Sequence, residues 1–210
     1  ALVAMMDAAQ DSIRLAIQDL GPMQMPGTRR PLPGTKWPKN YLNALARAIW
    51  KRQVRVQLIL SNPESMPGHL NGPGEFVYGN GWTSHDVARK IIKAIRKQFW
   101  LTARRNDVLL RERVKKCLEI CYARYDGSRH FGCGRPVGLH AKHYIFDDKV
   151  CYVGSQNLYD CDLAEWGVVM DSQTEELKES YWDDLWKTCY HKDDCELDEI
   201  MDKLGMDRPA

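Results

Sequence analysis

The chain has 210 residues with 30 Lys and Arg against 28 Asp and Glu, a formal net charge of +2. Acids and bases are mixed throughout, which argues against a bulk polyanion binder, and the length suits one domain or one large half of a bigger fold. No apolar run is long enough to cross a bilayer and no secretory h-region is visible.

The chain begins Ala1-Leu2-Val3, without an initiator Met, and passes directly into a helical pattern. This reads as a processed or cut start, so the missing signal peptide says nothing about secretion. Residues 2–11 read as a short helix with Leu2, Met5, Met6 and Ala9 on one side. Residues 13–20 read as a strand with Ile13, Leu15 and Ile17 pointing one way. Gln18 and Asp19 are the first polar positions after this core strand. Such positions sit at the mouth of α/β sites, or serve simply as turn caps. Residues 21–39 form a Pro/Gly-rich loop with Arg29, Arg30, Lys36 and Trp37, long enough to act as a lid or wall, or to be a plain surface loop.

Residues 40–51 form an amphipathic helix with Leu42, Leu45, Ala46 and Ile49 as its stripe, feeding a strand over 54–60 that Ser61-Asn62-Pro63 ends. A helix feeding a strand is one α/β unit, and parallel pairing with the first strand is expected. Residues 68–82 form a second long Gly/Pro loop carrying Phe76, Tyr78 and Trp82, rings that either meet a ligand or lipid interface or pack on the body. Thr83 or Ser84 caps a helix with Ala88, Ile91, Ile92 and Ile95 inward, and 106–114 continues as a second helical piece. Residues 117–125 alternate as a strand, and 126–136 form a glycine-punctuated loop. Beyond the central stretch, 166–169 read as a strand and 174–188 as a helix with Leu177, Tyr181, Leu185 and Trp186 inward. The tail from His191 closes as a helix over Leu197, Ile200 and Leu204. The expected fold is α/β, a mixed sheet flanked by helices.

The seven cysteines match no zinc-knuckle spacing, and their odd number leaves at least one free or paired outside the chain. Cys189 and Cys195 flank a short charged loop and are expected to form a local disulfide. Cys117 and Cys151 lie in apolar strand patterns and read as buried thiols. The count leans towards an oxidising compartment, hence a secreted or extracytoplasmic protein.

The stretch Leu139 to Gly154, LHAKHYIFDDKVCYVG, continued by Ser155-Gln156-Asn157-Leu158-Tyr159, organises the rest. It reads as two strands joined by a polar turn at Asp147-Asp148-Lys149. Alternation puts His140, Lys142 and Tyr144 on one face, and pairing the strands brings His140 and Lys142 towards Ser155 and Asn157. A nucleophile or acid, a fixed positive charge and an amide donor are what a site needs to hold a tetrahedral or pentacoordinate phosphate. Asp147, of opposite parity and in the turn, is expected to be structural, bonding backbone amides or a nearby base.

The string His140-x-Lys142-x-x-x-x-Asp147 followed by Gly154-Ser155-x-Asn157 resembles the catalytic signature of the phospholipase D superfamily. Gln18-Asp19-Leu20 after the first strand, the unit ending VRVQLILSNP, and Glu165 before Gly167-Val168-Val169 extend the likeness. They are similar to the carboxy-terminal half of the secreted actinobacterial type. Members of that family carry two signatures, both histidines facing one phosphate, and this sequence shows one. The resemblance therefore implies a single catalytic half-domain over 1–210, with long loops at 21–39 and 68–82 and a closing tail at 191–206. The second half would come from another chain, a removed amino-terminal half, or a homodimer mate as in the small dimeric nucleases of the superfamily.

The resemblance further implies a two-step displacement in which one histidine forms a phosphohistidine and the other protonates the leaving alkoxide, then activates water or an alcohol. It assigns His140 the general acid/base role, while in a homodimer either copy can attack. Lys142 and Asn157 meet charge on the non-bridging oxygens with no metal or other cofactor. Ser155 orients an oxygen or a histidine, and Glu165 holds an imidazole in its tautomer. Gln18, Asp19, Trp37, Trp82 and Tyr159 are expected to contact substrate. The leading expectation is hydrolysis or transphosphatidylation of glycerophospholipids at a membrane surface. Nucleic acid is set aside as a partner because the positive residues form no continuous stripe. The alternatives are a homodimeric nuclease or phosphodiesterase of the superfamily, and an inactive scaffold half.

Overall fold

A computed structural model of the chain describes residues 1–25, 28–65, 79–159 and 164–208, and these build a six-stranded mixed sheet between two helical layers. Helix α1 (Leu2–Ala8) leads to β1 (Ser12–Ile17). Helix α2 (Lys39–Arg47) runs on through a π-helical turn, Ala48–Arg52, to β2 (Arg55–Leu60). Gln53, left-handed at φ 56°, makes the break between them. As the helix–strand pattern predicts, β2 lies parallel to β1. Helix α3 (Ser84–Gln98) starts at a reciprocal cap in which Thr83 Oγ1 accepts from the Asp86 amide while the Asp86 carboxylate accepts from the Thr83 amide. Asn106 caps α4 (Asp107–Cys117), which turns directly into β3 (Leu118–Tyr122). Cys117 thus ends a helix instead of starting a strand, although its thiol is buried as expected.

The central stretch forms the hairpin β4 (Lys142–Phe146) and β5 (Val150–Gly154), followed by β6 (Gly167–Met170). The sheet order is β3-β2-β1-β4-β5-β6. Its β1–β3 half is parallel, and β4, β5 and β6 each pair antiparallel with the preceding neighbour. Helix α5 (Thr174–Leu177), a π-helical stretch over Lys178–Asp183, α6 (Asp184–Cys189) and α7 (Leu197–Lys203) complete the described chain.

Period-2 alternation divides the core. Ile13, Leu15 and Ile17 point into a layer with Met6, Leu45, Ile91, Leu110 and Ile200, so α1–α4 and α7 cover one face. Ala16, Ile59, Cys121, Ile145 and Cys151 point the other way, against Trp182 and Cys189 of the α5–α6 segment. The π-helical stretch there changes the helix phase, so Trp182 is buried and Tyr181 lies at the surface, against the expectation of Tyr181 inward.

The same division corrects the expected disulfide. Cys189 belongs to the α5–α6 layer and Cys195 packs with Ile200 on the opposite face, and both are free buried thiols. Cys161, Phe76 and Tyr78 lie outside the described residues.

Candidate active site

Lys142 opens β4 directly opposite Ile17, the last residue of β1. The Gln18 amide donates to Ala141 O, carrying the pairing one step beyond both strands. The Leu158 amide then donates to Asp19 O and the Gly21 amide to Leu158 O, so the chain leaving β1 is zipped to the chain leaving β5. Three segments far apart in sequence are thereby drawn to one end of the sheet, where the parallel strands β1–β3 finish.

Side chains converge there. Lys142 Nζ donates to Gln18 Oε1 at 2.7 Å and to His140 O at 3.0 Å. Asn157 Nδ2 lies 3.4 Å from both Gln18 Oε1 and the Tyr159 hydroxyl, and Asn157 Oδ1 accepts from the Asp19 amide. Burial lowers the Lys142 ammonium below the usual lysine value, while the charges of Asp19 and Glu165 act the other way. Desolvation and the nearby Lys142 charge hold the His140 imidazole below its ordinary value. His140 itself is exposed, two residues ahead of the strand.

Two supports brace the hairpin, one at each end. Asp147 and Asp148, both at φ 54°, make the hairpin turn, and the Asp147 carboxylate accepts the amides of Gln10, Asp11 and Ser12 at 2.7–2.9 Å. Burial alone would raise its pKa, but these amides and Lys149 keep it below the usual carboxylate value. At the other end, Tyr144 and Tyr152 stack with ring centroids 5.3 Å apart. The Tyr144 hydroxyl donates to Gln156 O at 2.6 Å and the Tyr152 hydroxyl to Trp166 O at 3.2 Å, fixing the turn that carries Asn157. A Cβ on Gly167 would fall within the Tyr152 ring, which explains glycine there. The alternation that placed Tyr144 beside Lys142 was the available signal for the stack, and only the cross-strand register completes it.

The structure brings Gln18, Lys142, Asn157 and Tyr159 together with His140 beside them. Ser155 is turned to the backbone, its hydroxyl donating to Trp166 O at 3.2 Å and accepting from the Trp166 amide at 3.1 Å. Glu165 acts on Lys142 through its charge. Asp19 is buried, with Oδ1 unpartnered among the described residues, and burial pushes its carboxyl up to about 7 against the pull of Lys142 and an Asn80 backbone bond. It therefore supports the site from within the protein. Trp37 and Trp82 do not form an exposed rim. They are buried against each other, ring centroids 5.0 Å apart, with Trp82 Nε1 donating to Pro22 O at 2.6 Å. On the opposite face of β4, His143 is buried with both ring nitrogens unpartnered among the described residues, its ring 4.9 Å from that of Tyr181.

The chain is 24% identical over 189 residues to phospholipase D of Streptomyces antibioticus, covering 89% of this chain and 31% of that enzyme, so it spans about a third of the relative's length. Similar solved structures include NucT from Helicobacter pylori, at 15% identity and a TM-score of 0.48 over 90% of this chain and 87% of that one. They also include Nuc from Salmonella typhimurium, a phospholipase D family member, at 16% identity and a TM-score of 0.47 over 90% and 86%. The expectation that set nucleic acid aside is withdrawn: positive residues scattered along the chain, Arg29, Arg129 and Lys203 among them, line one cavity. Residues 2–175 match the family described as cardiolipin synthase, PLD-like domain, and the chain belongs to this phospholipase D-like family.

Proposed function

We propose that the chain is one half of a phospholipase D-type phosphodiesterase that cleaves nucleic-acid phosphodiester bonds, its second half being another copy of the same chain. The convergence of Lys142, Gln18 and Asn157 beside an exposed His140 carries this reading. Lys142 and the Asn157 amide meet charge that grows on the non-bridging oxygens. Neutral His140 of one copy attacks phosphorus, forming a P–N bond as the P–O bond to the leaving group breaks, and His140 of the other copy, in its imidazolium form, gives that oxygen its proton and becomes neutral. Water then gives a proton to the second imidazole and displaces the first, releasing the phosphate monoester. Glu165 is proposed to orient an imidazole, and Ser155 to fix the turn beside it.

Assembly has a surface available. Val153 and Val168 are cross-strand partners, and both are exposed with Trp166, which is 71% exposed, beside the hydroxyl of Ser155. An apolar patch next to a half-complete site suits a second half that supplies the missing histidine. Surface charge supports the nucleic-acid reading. The expected tryptophans are buried, whereas Arg29 of the same loop is exposed. The identity to a phospholipase D favours a second reading, in which the diester belongs to a phospholipid headgroup.

The test combines light scattering with turnover of single-stranded DNA, phospholipid vesicles and bis(4-nitrophenyl) phosphate. The expected result is a dimer whose specific activity falls on dilution, which cleaves DNA faster than lipid and is inactive as His140→Ala. Full activity in a monomer would refute the assembly. Faster headgroup release would select the phospholipid reading.

A further inference from the structure

Tyr122, Leu60, Ile17 and Lys142 are register partners in one row across β3, β2, β1 and β4. Three strand spacings separate Tyr122 from Lys142, roughly 14 Å along the same end of the sheet. Over Tyr122 lies a cavity of about 620 Å³ that the catalytic set does not use. Among the described residues it is lined by five cations that come from separate parts of the chain: Arg29, Arg89, Lys93, Arg129 and Lys203.

Three carboxylates share the lining, and two of them are already neutralised. Asp86 is buried between Arg29 at 2.6 Å and Arg89 at 3.3 Å. Asp194 is held by Arg124, which lies outside the cavity lining, at 2.5 and 2.8 Å. Asp193 is exposed. Lys93 is exposed, and among the described residues Lys203 and Arg129 have the surface carboxylates Glu199 and Glu64 as ionic partners, which hold them weakly. The cavity therefore retains positive charge available to a ligand.

It is also joined to the catalytic strand. The Arg129 guanidinium lies 4.3 Å over the Tyr122 ring, and its Nε donates to Asn62 Oδ1 at 2.8 Å. Ser61, next to Asn62, accepts from the amide of Leu139, the residue before His140. A strand cleaved at Lys142 would continue along this edge towards Arg129, where a phosphate meets the cations and Tyr122 with Ile200 offers an apolar floor. We propose that the cavity is an accessory phosphate site that holds the nucleic-acid strand a few nucleotides from the bond being cleaved. It rests on the nucleic-acid reading above.

The test uses the full chain, a fluorescent single-stranded DNA dodecamer and the exposed pair Lys93→Gln/Lys203→Gln. Loss of two phosphate contacts is expected to weaken binding about 5–10-fold and to reduce the slope of log K against log salt by about 1.4. Turnover of bis(4-nitrophenyl) phosphate, too small to reach the cavity, should stay unchanged, and Lys93→Arg/Lys203→Arg should keep both affinity and slope. If the wild type binds the dodecamer and Lys93→Gln/Lys203→Gln binds it equally with the same slope, the cavity proposal is wrong and the substrate reading stands. If the wild type turns over the small diester but binds no dodecamer at low salt, the substrate reading fails and takes the proposal with it. Loss of small-diester turnover in the Gln pair, or loss of binding to phosphatidylglycerol vesicles in place of DNA, would also overturn it.

Discussion

Lys142 Nζ sits 2.7 Å from Gln18 Oε1, so the strand β4 is tied to the end of β1 by a side chain that also reaches Asn157. Gln18 thereby holds the ammonium and the amide donor in one plane of approach. Lys142→Ala is expected to lower kcat about 10²–10³-fold with the fold intact, the effect of losing one preorganised donor. Gln18→Ala should cost less, because both donors survive and lose only their alignment. The Lys142 charge is also one of the two causes that depress His140. In Lys142→Gln, the His140 ring protons followed by NMR should titrate at higher pH than in the wild type. An unchanged midpoint would separate the two groups electrostatically.

Asp147 acts on stability. Its carboxylate takes three backbone amides from Gln10, Asp11 and Ser12, clamping the hairpin turn to the start of β1. Bonds to a charged acceptor are worth about 1.5–3 kcal/mol each, and Asp147→Asn keeps some of them, so a total loss of about 2–4 kcal/mol is expected. Denaturant unfolding measures it. Because the folded carboxyl lies below its unfolded value, this stability is present above the unfolded pKa of about 3.9 and disappears as pH falls through the folded one. A variant with unchanged stability but no turnover would move Asp147 into the chemistry.

His143 and Asp19 push pH-dependence in opposite directions. Burial lowers the His143 imidazole to about 4, so between about 6.5 and 4 the unfolded state binds the extra proton and stability falls as pH falls. Burial raises Asp19 to about 7, so between about 3.9 and 7 the folded state binds the extra proton and stability falls as pH rises. The wild type should therefore show a shallow profile across this window. His143→Leu should gain stability relative to the wild type as pH drops from 7 to 5, and Asp19→Asn should gain as pH rises over the same interval. Parallel profiles for all three proteins would show that neither group is perturbed.

Much of this arrangement was legible in the residues because it is periodic. Alternation in 13–17, 54–60 and 142–146 gives strands whose faces the register confirms, and Thr83 or Ser84 marks a helix start, which Thr83 makes by accepting the Asp86 amide. Asn157 was readable from the hairpin that returns it to Lys142. What was not legible depends on departures from period or on distance in sequence. The π-helical Lys178–Asp183 shifts the inward position to Trp182. Cys189 and Cys195 are close in sequence, yet the sheet passes between their layers. The positive residues form no stripe along the chain, but Arg29, Arg129 and Lys203 meet in space.

The buried tryptophans give the last prediction. Trp37 and Trp82 pack at 5.0 Å, Lys90 lies 4.8 Å over the Trp37 ring, and a Cβ on Gly21 would stand 2.7 Å from that ring, so the pair fills a closed corner between the loop and α3. Trp82 Nε1 also binds Pro22 O, which anchors the chain leaving the Gln18–Asp19 corner. Trp82→Ala therefore removes ring packing and one hydrogen bond together. A loss of about 3–5 kcal/mol is expected, a fall in Tm of about 10 °C. Turnover should drop through the displaced Gln18, by the same factor on vesicles, on DNA and on a small soluble diester, because the ring touches none of them. Trp37→Ala should behave alike. A loss confined to vesicles, with Tm unchanged, would return these rings to a lipid-facing rim and argue against their burial.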